Sequence, residues 1–192
     1  MAETKQAGQE VAGSKEGSAA KAINPMRSII VSKITMNIGA GKNEGMLKKG
    51  EKLLGTLCKT VKPIQTKTTK RIPGFGLRPG LAIGVKSTVR SSKGALELLK
   101  KLLVARENLL PLKSFDAQGN FSFGVAEYID VPGMEYDPEL KVMGFEVAVT
   151  LERAGFRVAR RKLNARKIGK AHKVNRDDAI AFVREVLGVK VE

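Results

Sequence analysis

Residues 62–93 contain no aspartate or glutamate, and they join three segments of different character. Segment 66–71, TKTTKR, is typical of an exposed, extended, cationic strand. Loop 73–80 has three glycines and two prolines, which mark a turn rather than a regular element. In segment 81–90, large aliphatic residues alternate with small or charged ones, and this period of two predicts a strand with one buried face. The stretch therefore predicts a β-hairpin with a basic exposed face and a basic, aromatic tip, which suits a polyanion.

The distribution of charge narrows the class of partner. The formal net charge is +16. Segments 52–96 and 153–176 each hold ten Lys or Arg and no acid, so they carry 20 of the 35 basic residues and none of the 19 acids. A surface that is merely soluble mixes both signs, so these segments favour nucleic-acid binding. Membrane binding is disfavoured, because the basic residues lie on predicted hairpins and loops rather than opposite an exposed apolar helix stripe.

The chain is long enough for one sizeable domain. Residues 1–22 have almost no large apolar side chains, so we expect a disordered tail, followed by a single α+β RNA-binding domain over residues 23–192. No apolar run is long enough to span a membrane, and no apolar signal core begins the chain. Cys58 is the one cysteine, which fits a reducing compartment. Its place on an apolar helix stripe predicts a buried structural thiol.

Periodicity predicts an α+β fold: a mostly antiparallel sheet with helices packed on one face, in the order strand, helix, two strands, helix, several strands, helix. Helices are expected at about 44–60, 93–110 and 176–187, the last with Asn175 as N-cap, and strands at 29–38, 121–131, 145–151 and 156–163. In the first strand, Ile30, Ile34, Met36 and Ile38 are expected on one face and Val31 on the other. The sheet face away from the helices would be free to carry the following polar side chains: Lys33, Asn37, Thr66, Lys86, Thr88 and Arg90.

Two features suggest a nucleotide site and a metal or catalytic site, but each lacks residues that such a site requires. GAGK (39–42) follows a strand and precedes a helix, but its spacing fits neither a Walker loop nor a dinucleotide fingerprint, so a turn that meets an RNA phosphate is favoured. His172 is the one histidine. One histidine and one cysteine cannot build a structural zinc site, and segment 153–176 offers His172 no carboxylate. We expect an RNA-facing or spectator histidine, no catalytic residue, no metal and no cofactor.

The predicted open sheet face lacks the aromatic residues on which RNA-recognition sheets stack bases. Contact with the backbone, the 2′-hydroxyls and the shape of folded RNA is therefore favoured. Two alternatives stay open from the residues alone. One is an RNA-modifying enzyme that uses the same basic face, and the other is a general nucleic-acid compaction protein.

Four motifs in order, VSKITMNIGAG (31–41), KPIQTK (62–67), GFGLRPG (74–80) and IGVKSTVR (83–90), resemble the universal family of large-subunit ribosomal protein five, numbered eleven in eukaryotes. The resemblance covers residues 25–191. KIGKAH (167–172) together with the final helix resembles the archaeal and eukaryotic branch. The basic composition and the absence of a longer eukaryotic-type tail favour an archaeal-type member.

The resemblance implies a structural, non-catalytic protein of the cytoplasmic ribosome. It implies binding to 5S ribosomal RNA and to large-subunit ribosomal RNA in the central protuberance, beside the other proteins there. It also implies a loop that reaches the P-site tRNA and a contact with small-subunit ribosomal protein thirteen. The residues expected to bind ribosomal RNA, from the resemblance and from the basic surfaces together, are Lys33, Asn37, Thr66, Lys67, Lys86, Thr88, Arg90, Arg160 and Arg161. The expected tRNA loop comprises Gly74, Phe75, Gly76 and Arg78, and the acidic residues Glu135, Asp137 and Glu139 are expected to contact the protein partner.

Overall fold

The computed structural model describes residues 24–90 and 92–192, so the expected tail at 1–22 lies outside the described residues. The elements in chain order are β1 (Ile29–Gly39), α1 (Glu44–Leu57), β2 (Ile64–Lys67), β3 (Ala82–Val89), α2 (Ser92–Val104), β4 (Leu109–Leu110), β5 (Phe121–Val125), β6 (Phe145–Arg153), α3 (Arg157–Arg160), α4 (Arg176–Leu187) and β7 (Lys190–Val191). The fold is α+β, as the periodicity predicted.

Five strands form one antiparallel sheet in the order β2-β3-β1-β6-β5. Helix α1 contacts β3, and α2 contacts the central strand β1. Asn43 is the N-cap of α1. Its side-chain oxygen accepts hydrogen bonds from the backbone amides of Gly45 (3.0 Å) and Met46 (3.3 Å), which satisfies two otherwise unpaired amides.

The core lies between the sheet and its helices. Inward-facing strand residues such as Met36 and Val147 meet helix residues such as Leu53 and Leu99, and all four are fully buried. Burying a side chain of this size stabilises a fold by about 1.5–3 kcal/mol. Cys58 is also buried, at 5% exposure, and burial raises the pKa of its thiol. The predicted structural thiol is therefore confirmed, because a protonated thiol is a poor nucleophile.

The predicted facing of the first strand is wrong at its beginning. Val31 is 2% exposed, whereas Ile30 is 44% exposed, the reverse of the expectation. The register of β1 against β6 shifts between Val31 and Lys33. A bulge of this kind adds one residue to one strand, so the alternation that holds from Ile34 onward is inverted before it.

Segment 156–163 forms no strand, contrary to the prediction. Gly155 has a φ of +93°, which turns the chain away from β6, and a short helix α3 follows. The strand predicted to run to Val131 also ends early, at Val125, and a single 3₁₀ turn follows it. In both segments the apolar residues alternate without a neighbouring strand to pair with.

The chain returns at its end to the short strand that follows α2. Asn175 is the N-cap of α4, as predicted, and its backbone amide donates to Asp178 Oδ2 at 3.3 Å. Strand β7 then pairs in parallel with β4, Leu109 opposite Lys190 and Leu110 opposite Val191. Within residues 24–90 and 92–192, no helix combines the length and apolar character needed to cross a membrane.

Candidate nucleic-acid interface

One face of the five-stranded sheet points away from the buried strand residues, and we call it the open face. It is formed by the residues of β1, β3 and β6 that alternate with the buried ones. Thr35 Oγ1 lies 3.2 Å from Thr88 Oγ1 on the neighbouring strand. One row further along, Asn37 on β1 is directly opposite Lys86 on β3. Directly opposite residues share a sheet face, so these four polar side chains lie together.

Two further sheet residues expected to bind RNA join the same face. Lys33 lies opposite Thr150 of β6, and Thr66 lies opposite Gly84. The pairing therefore brings Lys33, Asn37, Thr66, Lys86 and Thr88 together on one surface.

Lys67 and Arg90 are not placed on this surface by the strand pairing. Lys67 lies opposite Ala82, beyond a register shift that adds one residue to β3, so the unbroken alternation of β2 turns Lys67 away from Thr66. Arg90 follows the last residue of β3 and takes part in no strand pair of the described residues.

Gly84 allows the strands that carry these residues to approach closely. A Cβ atom there would lie 2.7 Å from the carbonyl oxygen of Ile38 and 3.0 Å from Thr66 Oγ1. Contacts below 3.0 Å force neighbouring atoms to move. Only glycine therefore fits without displacing neighbouring atoms at position 84 of the open face, between Thr66 and the centre of the sheet.

The open face also holds two acids that the sequence did not assign to it. Glu146 lies opposite Asn37, and Glu152 lies opposite Ile30. Alternation along β6 puts both on the side of Thr150. Glu146 is exposed, whereas the Glu152 side chain is 14% exposed and binds Arg160. Among the described strand residues, every aromatic ring of the sheet is on the opposite, buried face: Phe121, Phe123 and Phe145.

The loop between β2 and β3 is a folded turn, and we call residues 68–81 the tip loop. Ile72 and Leu77 pair through two backbone hydrogen bonds of 3.1 Å. The Thr68 amide donates to Leu81 O at 2.9 Å, and the Thr68 hydroxyl donates to Arg78 O. These bonds hold the expected tRNA residues Gly74, Phe75, Gly76 and Arg78 in a defined turn, with the Phe75 ring 72% exposed at its end.

Lys42, from the GAGK motif, lies against the tip loop. A Cβ atom on Gly76 would overlap Lys42 Nζ, and Gly76 has a φ of +60°, which glycine adopts without strain. The amides of Ala40 and Gly41 donate to Ile83 O at 2.9 and 3.0 Å. This motif therefore supports the hairpin instead of cradling a nucleotide.

Several cations of the second basic segment, 153–176, are bound within the protein. Arg160 pairs with Glu152, Arg161 Nε donates to Asn164 O at 2.8 Å, and Arg153 pairs with Asp178 at 2.9 Å. Both arginines expected to bind ribosomal RNA here thus have internal partners. Seven other basic residues of this segment form no ion pair within the described part of the chain: Arg157, Lys162, Arg166, Lys167, Lys170, Lys173 and Arg176.

His172 has a structural contact. Its Nε2 lies 2.8 Å from the carbonyl oxygen of Ala154, and a carbonyl only accepts, so Nε2 carries the proton. The ring centroid is 6.0 Å from that of Phe156. The histidine thus ties segment 170–172 to the end of β6.

The acidic loop, residues 132–140, is bound to α1. Lys52 Nζ lies 2.8 Å from Asp137 Oδ2 and 2.6 Å from Glu139 Oε2. The hydrogen bond from Lys52 holds the pKa of Asp137 below its usual range, with help from the backbone amide of Glu139. The same two carboxylates raise the pKa of Lys52. The buried Tyr128 hydroxyl accepts from the Asp137 amide at 2.9 Å, so this loop has a defined shape.

Of the three acids expected to contact a protein partner, two are therefore already paired within the chain. Glu135 is exposed and has no ion pair in the described residues. Sequence reasoning missed Lys52, because Lys52 is far along the chain from its partners. The neighbouring Tyr136, 58% exposed, adds an aromatic side chain to the same loop.

Comparison with known proteins agrees with these features. Residues 82–182 match the model of the C-terminal part of the ribosomal protein L5 family. Three archaeal proteins, each called large ribosomal subunit protein uL5, are similar to the chain. That of Nanoarchaeum equitans is 44% identical, over 88% of this chain and 98% of its own length. That of Sulfolobus acidocaldarius is 43% identical, over 90% and 96%, and that of Archaeoglobus fulgidus is 44% identical, over 88% and 93%. A family match over more than half of the chain and identities of this size over nearly all of it place the chain in the ribosomal protein L5 family, a family of structural, non-enzymatic ribosomal proteins.

Proposed function

We propose that this protein binds 5S ribosomal RNA through the open face and helps to attach that RNA in the central protuberance. Membership of the family makes the protein a structural constituent of the large subunit of the cytoplasmic ribosome. The finer assignment extends this to a particular RNA and to particular residues. It includes contacts with large-subunit ribosomal RNA and with the other proteins of the protuberance.

The observation that carries the proposal is the composition of the open face. It offers hydroxyl groups, an amide and cations in adjacent rows, with the Thr35 and Thr88 hydroxyls 3.2 Å apart. Such groups bind phosphates and 2′-hydroxyls. The rings of the sheet are buried on the other side, so stacking on unpaired bases is disfavoured here, and recognition of the backbone and shape of folded RNA is favoured.

The second basic segment extends this surface. Glu152 lies on the open face, and Arg160 of α3 binds it, so this segment begins where the sheet face ends. Two acid-free parts of the sequence thereby flank one surface. Basic residues on both sides of the sheet face raise the local concentration of a polyanion and its rate of association, which supports a large RNA ligand.

The test is the affinity for 5S ribosomal RNA, measured by filter binding as a function of salt concentration. We expect log K to fall linearly with log salt, and the Lys86→Ala variant to reduce the slope by about one, since each lost phosphate contact removes about one unit. Lys100→Ala, on the exposed side of α2, is the matched control and should keep the wild-type slope. Affinity that is independent of salt would contradict the proposal, and equal affinity for random duplex DNA would favour a compaction protein.

We assign the tip loop to the P-site tRNA and the acidic loop to small-subunit ribosomal protein thirteen. The support for the first is a folded turn that exposes Phe75 beside Arg78. The support for the second is a loop of defined shape that exposes Glu135 and Tyr136. Asp137 and Glu139 would bind a basic partner only by sharing or releasing Lys52. We therefore propose Glu135 as the main acidic contact with the partner protein.

A further inference from the structure

A cleft of about 440 Å³ lies at the end of the open face. It is enclosed by the last residues of β6, by α3, by segment 168–175 and by the turn at 117–120. Its walls include the apolar side chains of Phe156, Ile168 and Val174. Small-molecule sites have volumes of about 300–1,000 Å³ and are mainly apolar, with a few placed polar groups, so a flat aromatic group of moderate size fits here.

The polar groups of the cleft are complementary to a nucleobase edge. Asn120, Glu152 and Arg160 all line it. Glu152 and Arg160 bind each other, but a guanidinium has five N–H donors and a carboxylate has about four acceptor positions. The pair therefore keeps both a donor and an acceptor for a ligand. Guanine offers an acceptor at O6 and a donor at N2, which matches this combination.

The charge around the cleft indicates that the base belongs to a nucleic acid. Lys173 lines the cleft, and segment 153–176, which provides α3 and most of one wall, contains no acid. Several of its cations have no ion pair within the described residues, Arg157 and Lys170 among them. These cations are available to the phosphates on either side of an inserted nucleotide. Unpaired bases that are splayed out of RNA are commonly read by pockets of this kind.

We propose that this cleft receives one unpaired guanine of ribosomal RNA, which stands between its apolar walls and bonds to Glu152 and Arg160. The proposal rests on the proposed function, because it assumes that ribosomal RNA lies along the open face. It adds a base-specific contact to a surface that otherwise reads backbone and shape. It also gives segment 153–176 a role other than neutralising phosphates.

Kethoxal probing tests the proposal, because this reagent modifies guanines whose Watson–Crick edge is free. The probes are 5S ribosomal RNA and large-subunit ribosomal RNA, alone and bound to the full chain. We expect at least one unpaired guanine to be protected by the wild-type protein and to regain reactivity with Ala159→Trp, which fills the cleft. Val186→Trp, at an exposed position of α4, is the size-matched control and should protect as the wild type does.

Glu152→Gln provides a second variant of unchanged shape, in case Ala159→Trp fails to fold. It removes the charged acceptor and should restore part of the guanine reactivity. If the wild type binds RNA but the same guanines react equally with all folded variants, the cleft holds no guanine, and the proposed function stands. If the wild type binds neither RNA, the proposed function itself is overturned, and the cleft proposal falls with it.

Discussion

Lys52 Nζ on α1 lies 2.8 Å from Asp137 Oδ2 in the acidic loop. Helix α1 therefore holds in place a loop that we propose contacts another protein. Both side chains are accessible to solvent, and exposed ion pairs contribute little to overall stability. The contact therefore matters for the conformation of the loop more than for the fold.

Replacing Lys52 with methionine should loosen the acidic loop. Without the ammonium group, the pKa of Asp137 should rise towards its ordinary value of about 3.9, which an NMR titration of the carboxyl carbon measures. Because the folded pKa is lowered in the wild type, the stabilising contact is complete above the ordinary pKa and is lost as the pH falls through the folded value. Amide exchange at 135–139 should therefore differ between the two proteins at neutral pH and converge in acid.

Lys48→Met on the same helix is the matched control, because Lys48 is exposed and forms no ion pair among the described residues. It should leave the Asp137 titration unchanged. An unaltered Asp137 pKa in Lys52→Met would show that the contact does not persist in solution.

Replacing Gly84 with alanine should destabilise the protein by about 1–3 kcal/mol, the usual cost of an added methyl group in a tightly packed site. The added Cβ would lie 2.7 Å from Ile38 O, so β1 and β3 must move apart. Chemical denaturation measures the change. Gly124→Ala on β5 is the control, since nothing lies within 4 Å of its added Cβ, and it should be neutral or slightly stabilising. Equal effects at both positions would contradict the steric argument.

Replacing Thr88 with glutamate should weaken binding of 5S ribosomal RNA roughly tenfold or more, because like charges at an interface cost up to several kcal/mol. The new carboxylate would stand beside Thr35 in the middle of the open face. Filter binding measures the loss. Thr60→Glu makes the same change of charge at an exposed turn after α1 and should cost much less. If Thr60→Glu weakens binding as strongly, net charge rather than the open face governs the affinity.

The tip loop should affect tRNA without affecting 5S RNA. Phe75→Ala and Arg78→Ala should weaken P-site tRNA binding to large subunits assembled with the variant protein, by about 1–3 kcal/mol where the lost contact is an aromatic ring on a base. Their affinity for 5S ribosomal RNA should stay at the wild-type value. Val104→Ala, another exposed apolar position, is the control for tRNA binding. If Phe75→Ala instead lost affinity for 5S ribosomal RNA, the assignment of the tip loop to tRNA would be wrong.

The parts of the fold that depend on local pattern were predictable. Periodicity identified the three long helices, the open face and the buried Cys58, because each follows from the spacing of apolar residues within one element. The end of the second helix was wrong: α2 ends at Val104, and Leu109 and Leu110, which were expected to continue it, form strand β4. The inverted facing of Ile30 and Val31 was not predictable, because a bulge leaves the alternation of the surrounding sequence unchanged. The strand predicted at 156–163 failed because alternation does not show whether a neighbouring strand is present.

Contacts between distant segments account for most of what was missed in the site. Glu146 and Glu152 lie on the open face because β6 pairs with β1. The pattern of residues within each strand does not reveal which strands are neighbours in the sheet. Lys52 likewise meets the acidic loop through the packing of α1. The residues of β1 and β3 on the open face were easier to find, because a hairpin and its alternation place them without knowledge of the whole sheet.

The pairing of Arg160 with Glu152 has a consequence for the protein before it meets RNA. The Arg160 guanidinium is already bound to the Glu152 carboxylate. An incoming phosphate must therefore share the guanidinium with this carboxylate or displace the carboxylate. Arg153 is likewise neutralised by Asp178. The ten basic residues of segment 153–176 thus overstate the attraction that this end of the free molecule exerts on cellular polyanions at large. Only a ligand that fits well enough to compete with the protein's own acids gains the full contact.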